Sequence, residues 1–153
     1  NYLRDHLDDI IPLEPEHEYG IGDLTFNTSL PHDHSAETYG IQFHRPPGKV
    51  SFLVDTGYFP GLIESYEGSE VLVLNVVRHH SHDTYDLKHL NVPEAEKIID
   101  ALQPRLAVIT HFGMTMVKRR PGELAEQMAE KTGVRVVAAT DGKTIDLNNS
   151  GGR

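Results

Sequence analysis

The sequence contains no cysteine in its 153 residues. That excludes disulfides, iron–sulfur clusters and thiolate zinc sites, and it leaves imidazole and carboxylate as the groups able to hold a transition metal. Tryptophan is absent too, whereas histidine occurs ten times, a high count in a chain with no thiol ligands. Positive charge is scarce: 14 Lys and Arg face 23 Asp and Glu, a formal net charge of -9. Such a balance argues against stable nucleic-acid binding, which needs a basic footprint. It does not exclude an enzyme that handles phosphates through metal ions. No apolar run approaches the roughly 20 residues of a membrane helix, and no signal-peptide pattern is present. The chain therefore reads as one soluble, cytoplasmic domain, long enough for a sizeable core. It opens at Asn1 inside the helix-like stretch "NYLRDHLDDI", and is read as processed, trimmed or partly represented.

Periodicity supplies the elements. Leu3, Leu7 and Ile10 sit at helical spacing and predict a helix tail ended by Pro12 and Pro15. Leu24, Phe26 and Thr28 alternate with polar neighbours, as in a strand. Residues 39–44 and "KVSFLVD" predict two strands joined by the turn "PPGK". A short helix is expected over residues 62–66. "EVLVLNVV" is nearly continuous in apolar residues, the mark of a strand buried on both faces. The polar loop "RHHSHDTYDLKHLN" leads to a helix over residues 92–102, with Asn91 as N-cap and Pro93 in the first turn. "LAVITHF" reads as a strand and residues 121–131 as a helix capped by Gly133. "VRVVAAT", the turn "DGK" and "TIDL" predict a closing hairpin, and residues 148–153 a flexible tail. Hairpins dominate the first half and strand–helix alternation the second, which gives an α/β (α+β layered) domain.

Three residues share one placement. His34 lies in the loop before a strand, Asp55 ends "KVSFLVD" and His111 stands near the end of "LAVITHF". Loops at one edge of a sheet are where α/β sites collect, and imidazole with carboxylate is the donor set of a hydrolytic zinc, manganese or iron centre. Singly each signal is weak: a loop histidine is more often solvated than a ligand, and "DTG" is ordinarily a turn. Order and spacing along the chain are what raise them.

That order resembles the second half of the metallo-β-lactamase fold, in the branch of ribonuclease Z-like and cyclic phosphodiesterase-like hydrolases. "HSAETYG", "FLVDTG", "EVLVLNV", "KHLNVPEAEKIIDAL", "LAVITHFG" and "ATDGKTIDL" carry the likeness, over roughly residues 12–147. The resemblance implies the second half of an αββα sandwich, a mixed sheet with helices on one face. It implies His34 as ligand of a first metal, Asp55 as bridge and His111 as ligand of a second, the metals being zinc, with manganese or iron as alternatives. His89 takes the place of a general acid or phosphate contact near the leaving group. The family's "H-x-H-x-D-H" loop has no counterpart here, so the N-terminal half and its four further ligands are expected outside this chain, which alone should be inactive or weakly active.

Among the other histidines, His80 and His82 are candidates for substrate binding on a solvated or lid loop. His32 is a candidate support for a ligand, with a surface role as its competitor, while His17 and His44 read as surface residues. Asn75, at the end of its strand, is placed to fix a loop. The function expected is hydrolysis of an ester by metal-activated water, most simply a phosphodiester, with lactones, thioesters and other acyl esters open. The alternative is a non-catalytic binding or scaffold module that keeps the fold without a complete metal site. The expected partners are a small-molecule or phosphodiester substrate and the absent half of the fold, with no membrane; a homodimer is left open.

Overall fold

The computed structural model describes residues 7, 9–46, 48–81 and 88–147. Eight strands form the sheet: β1 (Glu18–Ile21), β2 (Leu24–Thr28), β3 (Ile41–Arg45), β4 (Gly48–Leu53), β5 (Val71–Arg78), β6 (Leu90–Asn91), β7 (Leu106–Thr110) and β8 (Val136–Ala138). Their spatial order is β1-β2-β3-β4-β5-β7-β8, with the short β6 paired to β5 off this path. The first four strands pair antiparallel. From β4 onward every pairing is parallel. The helices are α1 (Gly61–Ser65), α2 (Val92–Leu102), α3 (Met114–Val117) and α4 (Pro121–Thr132).

Residues alternate strictly between the two faces. Leu53, Leu72, Leu74, Val76, Ala107 and Ile109 point to one face and pack with Leu62, Ile98, Ile99, Leu124 and Met128 of the helices. Val71, Leu106 and Val108 point to the other, against Val50, Val73, Val137, Ile145 and Leu147, and no residue of a helix takes part. Helices on one face of a mixed sheet is thus the observed arrangement, and β5, paired in parallel on both sides, is apolar on both faces as its composition requires.

α2 begins as expected. Asn91 Oδ1 accepts from the Glu94 N–H at 3.1 Å, and Glu94 Oε2 accepts from the Asn91 N–H at 3.0 Å. This reciprocal capping box satisfies two donors that the first turn would otherwise leave open. α4 ends at Gly133, whose φ of 70° suits the left-handed cap.

The structure departs from expectation at β1, at α3 and at the closing hairpin. β1 was not foreseen, because Glu18–Ile21 carries almost no buried residue and so no alternation. α3 was not foreseen either; four residues are too few to show a period. The closing hairpin does not form: β8 instead pairs parallel with β7, and residues 143–147 follow the turn without regular structure. There Ile145 and Leu147 pack on the helix-free face. The expected N-terminal helix lies mostly outside the described residues, and residues 9–14 have no regular structure. Among the described residues no helix is long and apolar enough to cross a membrane.

Candidate metal centre

β4, β5, β7 and β8 run parallel, so their C-terminal ends share one edge of the sheet. β2 runs the same way as β4, since each is antiparallel to β3. The segments that follow β2, β4 and β7 therefore meet at that edge, and they carry His34, Asp55 and His111. This is the edge at which parallel strands present ligand sites. His89 arrives there by a separate route, just before β6, which pairs with the end of β5.

The geometry is a carboxylate among three imidazoles. His89 Nδ1 and His111 Nε2 each lie 3.4 Å from Asp55 Oδ1. His34, Asp55 and His89 offer ligand atoms all within 4.8 Å of one another. The His34 and His89 rings are 5.2 Å apart and the His89 and His111 rings 5.9 Å. Asn75 Nδ2 donates to Asp55 Oδ1 at 2.9 Å, fixing the carboxylate from the neighbouring strand. The turn "DTG" therefore does not hold its own aspartate; Thr56 Oγ1 bonds the Gly57 carbonyl and the Asp33 N–H instead.

These separations suit a metal better than a hydrogen bond. A charge-assisted N–H···O contact closes to about 2.7–2.9 Å. Two ligands each about 2.0–2.2 Å from one tetrahedral ion stand about 3.3–3.6 Å apart, which spans the 3.4 Å found twice here. His89 Nδ1 is buried without a hydrogen-bond partner among the described residues, an orphan that a cation would satisfy. Burial acts to raise the Asp55 carboxyl, but the Asn75 hydrogen bond and the three histidines outweigh it and hold it below the usual carboxylate range. Burial lowers His89, against the pull of Asp55 in the other direction, so it is neutral near pH 7, as a ligand must be.

The backbone at His111 has φ 61°, a left-handed conformation that a side-chain-bearing residue rarely adopts. Just beyond it the Gly113 N–H donates to the Val77 carbonyl at 3.1 Å, and a Cβ on Gly113 would come within 2.7 Å of that oxygen. The tight turn against β5 that presents His111 depends on this glycine.

His32 is buried, with 7% exposure, which excludes the surface role. Its Nε2 lies 2.9 Å from the Tyr66 hydroxyl and 3.2 Å from Ser29 Oγ, and its other edge lies against the Val54–Asp55 backbone. His80 is exposed and stacks edge-on against His79, with ring centroids 3.9 Å apart, outside the cluster. His82 lies outside the described residues. His17 and His44 are exposed, as expected. A cavity of ≈ 710 Å³ opens beside His111, lined by Asn75, Thr110, Phe112, Thr140 and Asp141 among others. Thr140 and Asp141, which line this cavity, were not singled out from the sequence, because the hairpin expected there hid that β8 ends at the same edge as β4 and β7.

The sequence profile of a family described as "Beta-lactamase superfamily domain" matches residues 3–112. The uncharacterized protein MJ1374 of Methanocaldococcus jannaschii is 27% identical over 152 residues, covering 97% of this chain and 55% of that protein. The metallo-β-lactamase fold protein YhfI of Bacillus subtilis superposes with a TM-score of 0.74 at 20% identity, over 87% of this chain and 54% of its own. A diphosphatase of the PhnP family superposes with a TM-score of 0.64 at 19% identity, over 86% of this chain and 47% of its own. The chain thus spans about half the length of the relatives it matches.

Proposed function

We propose a metal-dependent hydrolase, from the premise that this chain belongs to the beta-lactamase superfamily domain family and has the metallo-β-lactamase fold. The observation that carries the proposal is Asp55, ringed by three imidazoles at the spacing of metal ligands. His34, Asp55 and His111 would hold the metal, zinc first and manganese or iron as alternatives. When bound, such an ion supplies an activated water and polarises the oxygen of the bond to be cut. Asp55, ionised and pinned by Asn75, would be the ligand shared between ions if the centre holds two. His89 stands beside it at 3.4 Å; to serve as general acid it would have to carry a proton, which Asp55 favours and its burial opposes. Any further ligands of a two-ion centre would come from outside the described residues.

For His89 a second reading has a specific observation behind it. The orphaned Nδ1 and the membership of His89 in the ligand-range group both suit a ligand. The His89→Ala variant separates the roles. As acid, its loss lowers turnover by roughly 10²-fold or more with metal content intact; as ligand, metal and turnover go together.

A phosphodiester is the preferred substrate; the likeness to a protein named as a diphosphatase supports hydrolysis at phosphorus and does not by itself favour the diester. The cavity beside His111 falls within the usual range for small-molecule sites. The test is plasma-emission metal analysis of the full-length protein, followed by hydrolysis of bis(p-nitrophenyl) phosphate and p-nitrophenyl acetate. We expect bound metal and phosphodiester cleavage that stops with chelator and returns with zinc or manganese. Cleavage of the acetate alone would move the substrate to acyl esters. Neither metal nor cleavage would leave the non-catalytic scaffold.

A further inference from the structure

The segments carrying His34 and His89 meet at an ion pair. Lys88 Nζ donates to Asp33 Oδ2 at 3.1 Å, joining positions 55 residues apart in sequence. The two side chains are 36% and 46% exposed, and pairs so open to water contribute little to stability. Their position is the reason to consider them. Asp33 adjoins His34, and Lys88 adjoins His89.

Asp33 is also bound to the Asp55 loop through its backbone. Its N–H donates to Thr56 Oγ1 at 3.1 Å, and its carbonyl accepts from the Gly57 N–H at 2.9 Å. A Cβ on Gly57 would stand 3.2 Å from Asp33 Oδ2 and would crowd the carboxylate, while the Asp33 carbonyl would be at an ordinary 3.8 Å. Asp33 thus touches all three segments that bring His34, Asp55 and His89 together. Its backbone is fixed against the Asp55 loop whatever its side chain does, and its carboxylate offers Lys88 a fixed point.

We propose that Asp33, through its ion pair with Lys88, is a positioning residue that sets the spacing of His34 and His89 about Asp55. Where metal is concerned, this rests on the reading of the centre given above. The test uses the full-length protein with Lys88→Met and Asp33→Asn, both of which leave the backbone bonds in place. The conservative control is Lys88→Arg, and the rescue is the exchanged pair Asp33→Lys with Lys88→Asp. Two signals are read: the nuclear Overhauser effect between the His34 and His89 rings in metal-free protein, and zinc affinity by calorimetry.

In Lys88→Met and Asp33→Asn the ring-to-ring effect should weaken and zinc affinity should fall about 10–100-fold, the usual cost of losing support behind a ligand. The thermal midpoint should hardly move. Lys88→Arg should keep both signals, and the exchanged pair should restore most of each. An unchanged ring effect together with parental zinc affinity in Lys88→Met would overturn the proposal. A parent protein that takes up no zinc would defeat the metal reading, and the ring effect would then decide the positioning role by itself.

Discussion

Asp55 is the side chain whose loss should reach furthest. Three imidazoles and the Asn75 amide converge on it, and its neighbours in the chain, Leu53 and Thr56, are almost fully buried. Asp55→Ala should therefore empty the metal position while far-ultraviolet circular dichroism stays native; full metal occupancy in that variant would remove its role as the shared ligand. A pH effect follows from the histidines. Burial holds His32 and His89 below the ordinary value of 6.5. The folded state then binds fewer protons than the unfolded chain, so their contribution is complete above the unfolded value and is lost as pH falls through it. Asp55, also lowered, acts in the same direction but around its ordinary value of 3.8. The thermal midpoint of metal-free protein should drop between about pH 7.5 and about pH 5.5, and a flat profile there would contradict the neutral burial of both histidines. His34, Asp55 and His111 could be picked out in the sequence because each stands beside a run that reads as a strand and because their order matches the family resemblance. His32 could not: its burial depends on Tyr66, 34 positions away, and no local pattern announces that contact.

Among the elements, those with an apolar period were legible, α1 among them despite its five residues, whereas β1 and α3 carried no such pattern. α2 showed its cap, its proline and its spacing. Its capping box should contribute about 1 kcal/mol, so Asn91→Ala should lower unfolding free energy by about that much in denaturant titration. The approach of β3 to α1 gives a sharper prediction. A Cβ on Gly40 would overlap the Tyr66 hydroxyl and come within 2.5 Å of the Phe52 carbonyl. Tyr66 is fully buried and holds His32, and the carbonyl belongs to β4, so neither neighbour can yield cheaply. Gly40→Ala should cost about 1–3 kcal/mol or more and displace His32. A variant with parental stability would show the packing here to be looser than these contacts imply. β8 shows where pattern reading failed: "VRVVAAT" was correctly apolar, but whether it paired with the next segment or with β7 depended on partners 29 positions earlier.

On the scale of the molecule, the helix-free face of the sheet matters most. Strand register places Tyr19, Phe26, Phe43, Val50, Val71 and Leu106 in one row, and Ile41, Phe52, Val73, Val108 and Val137 in the next. Residues paired across strands share a face, so these two rows cross the sheet almost from edge to edge, and among the described residues the cluster around Val71, Leu106 and Val108 includes none from a helix. Phe52 is 36% exposed, and Val50, Val73 and Val137 are only partly covered. The parallel part of the sheet, β4, β5, β7 and β8, is apolar on both faces, parallel strands are normally covered on both, and relatives about twice as long as this chain have the length to do so. We therefore expect a second apolar layer to seat here in the full-length protein, bringing the remaining ligands to the same edge. Val73→Glu tests it. Under a packed layer the new carboxylate is buried without a partner, and the loss should be about 3–5 kcal/mol by chemical denaturation. On a face left to water the same change should stay within about 0.5 kcal/mol, and Phe52→Glu should match it. The smaller cost in both variants would mean that no layer beyond the Ile145 and Leu147 segment covers this face, and that any further ligands reach the centre from some other direction.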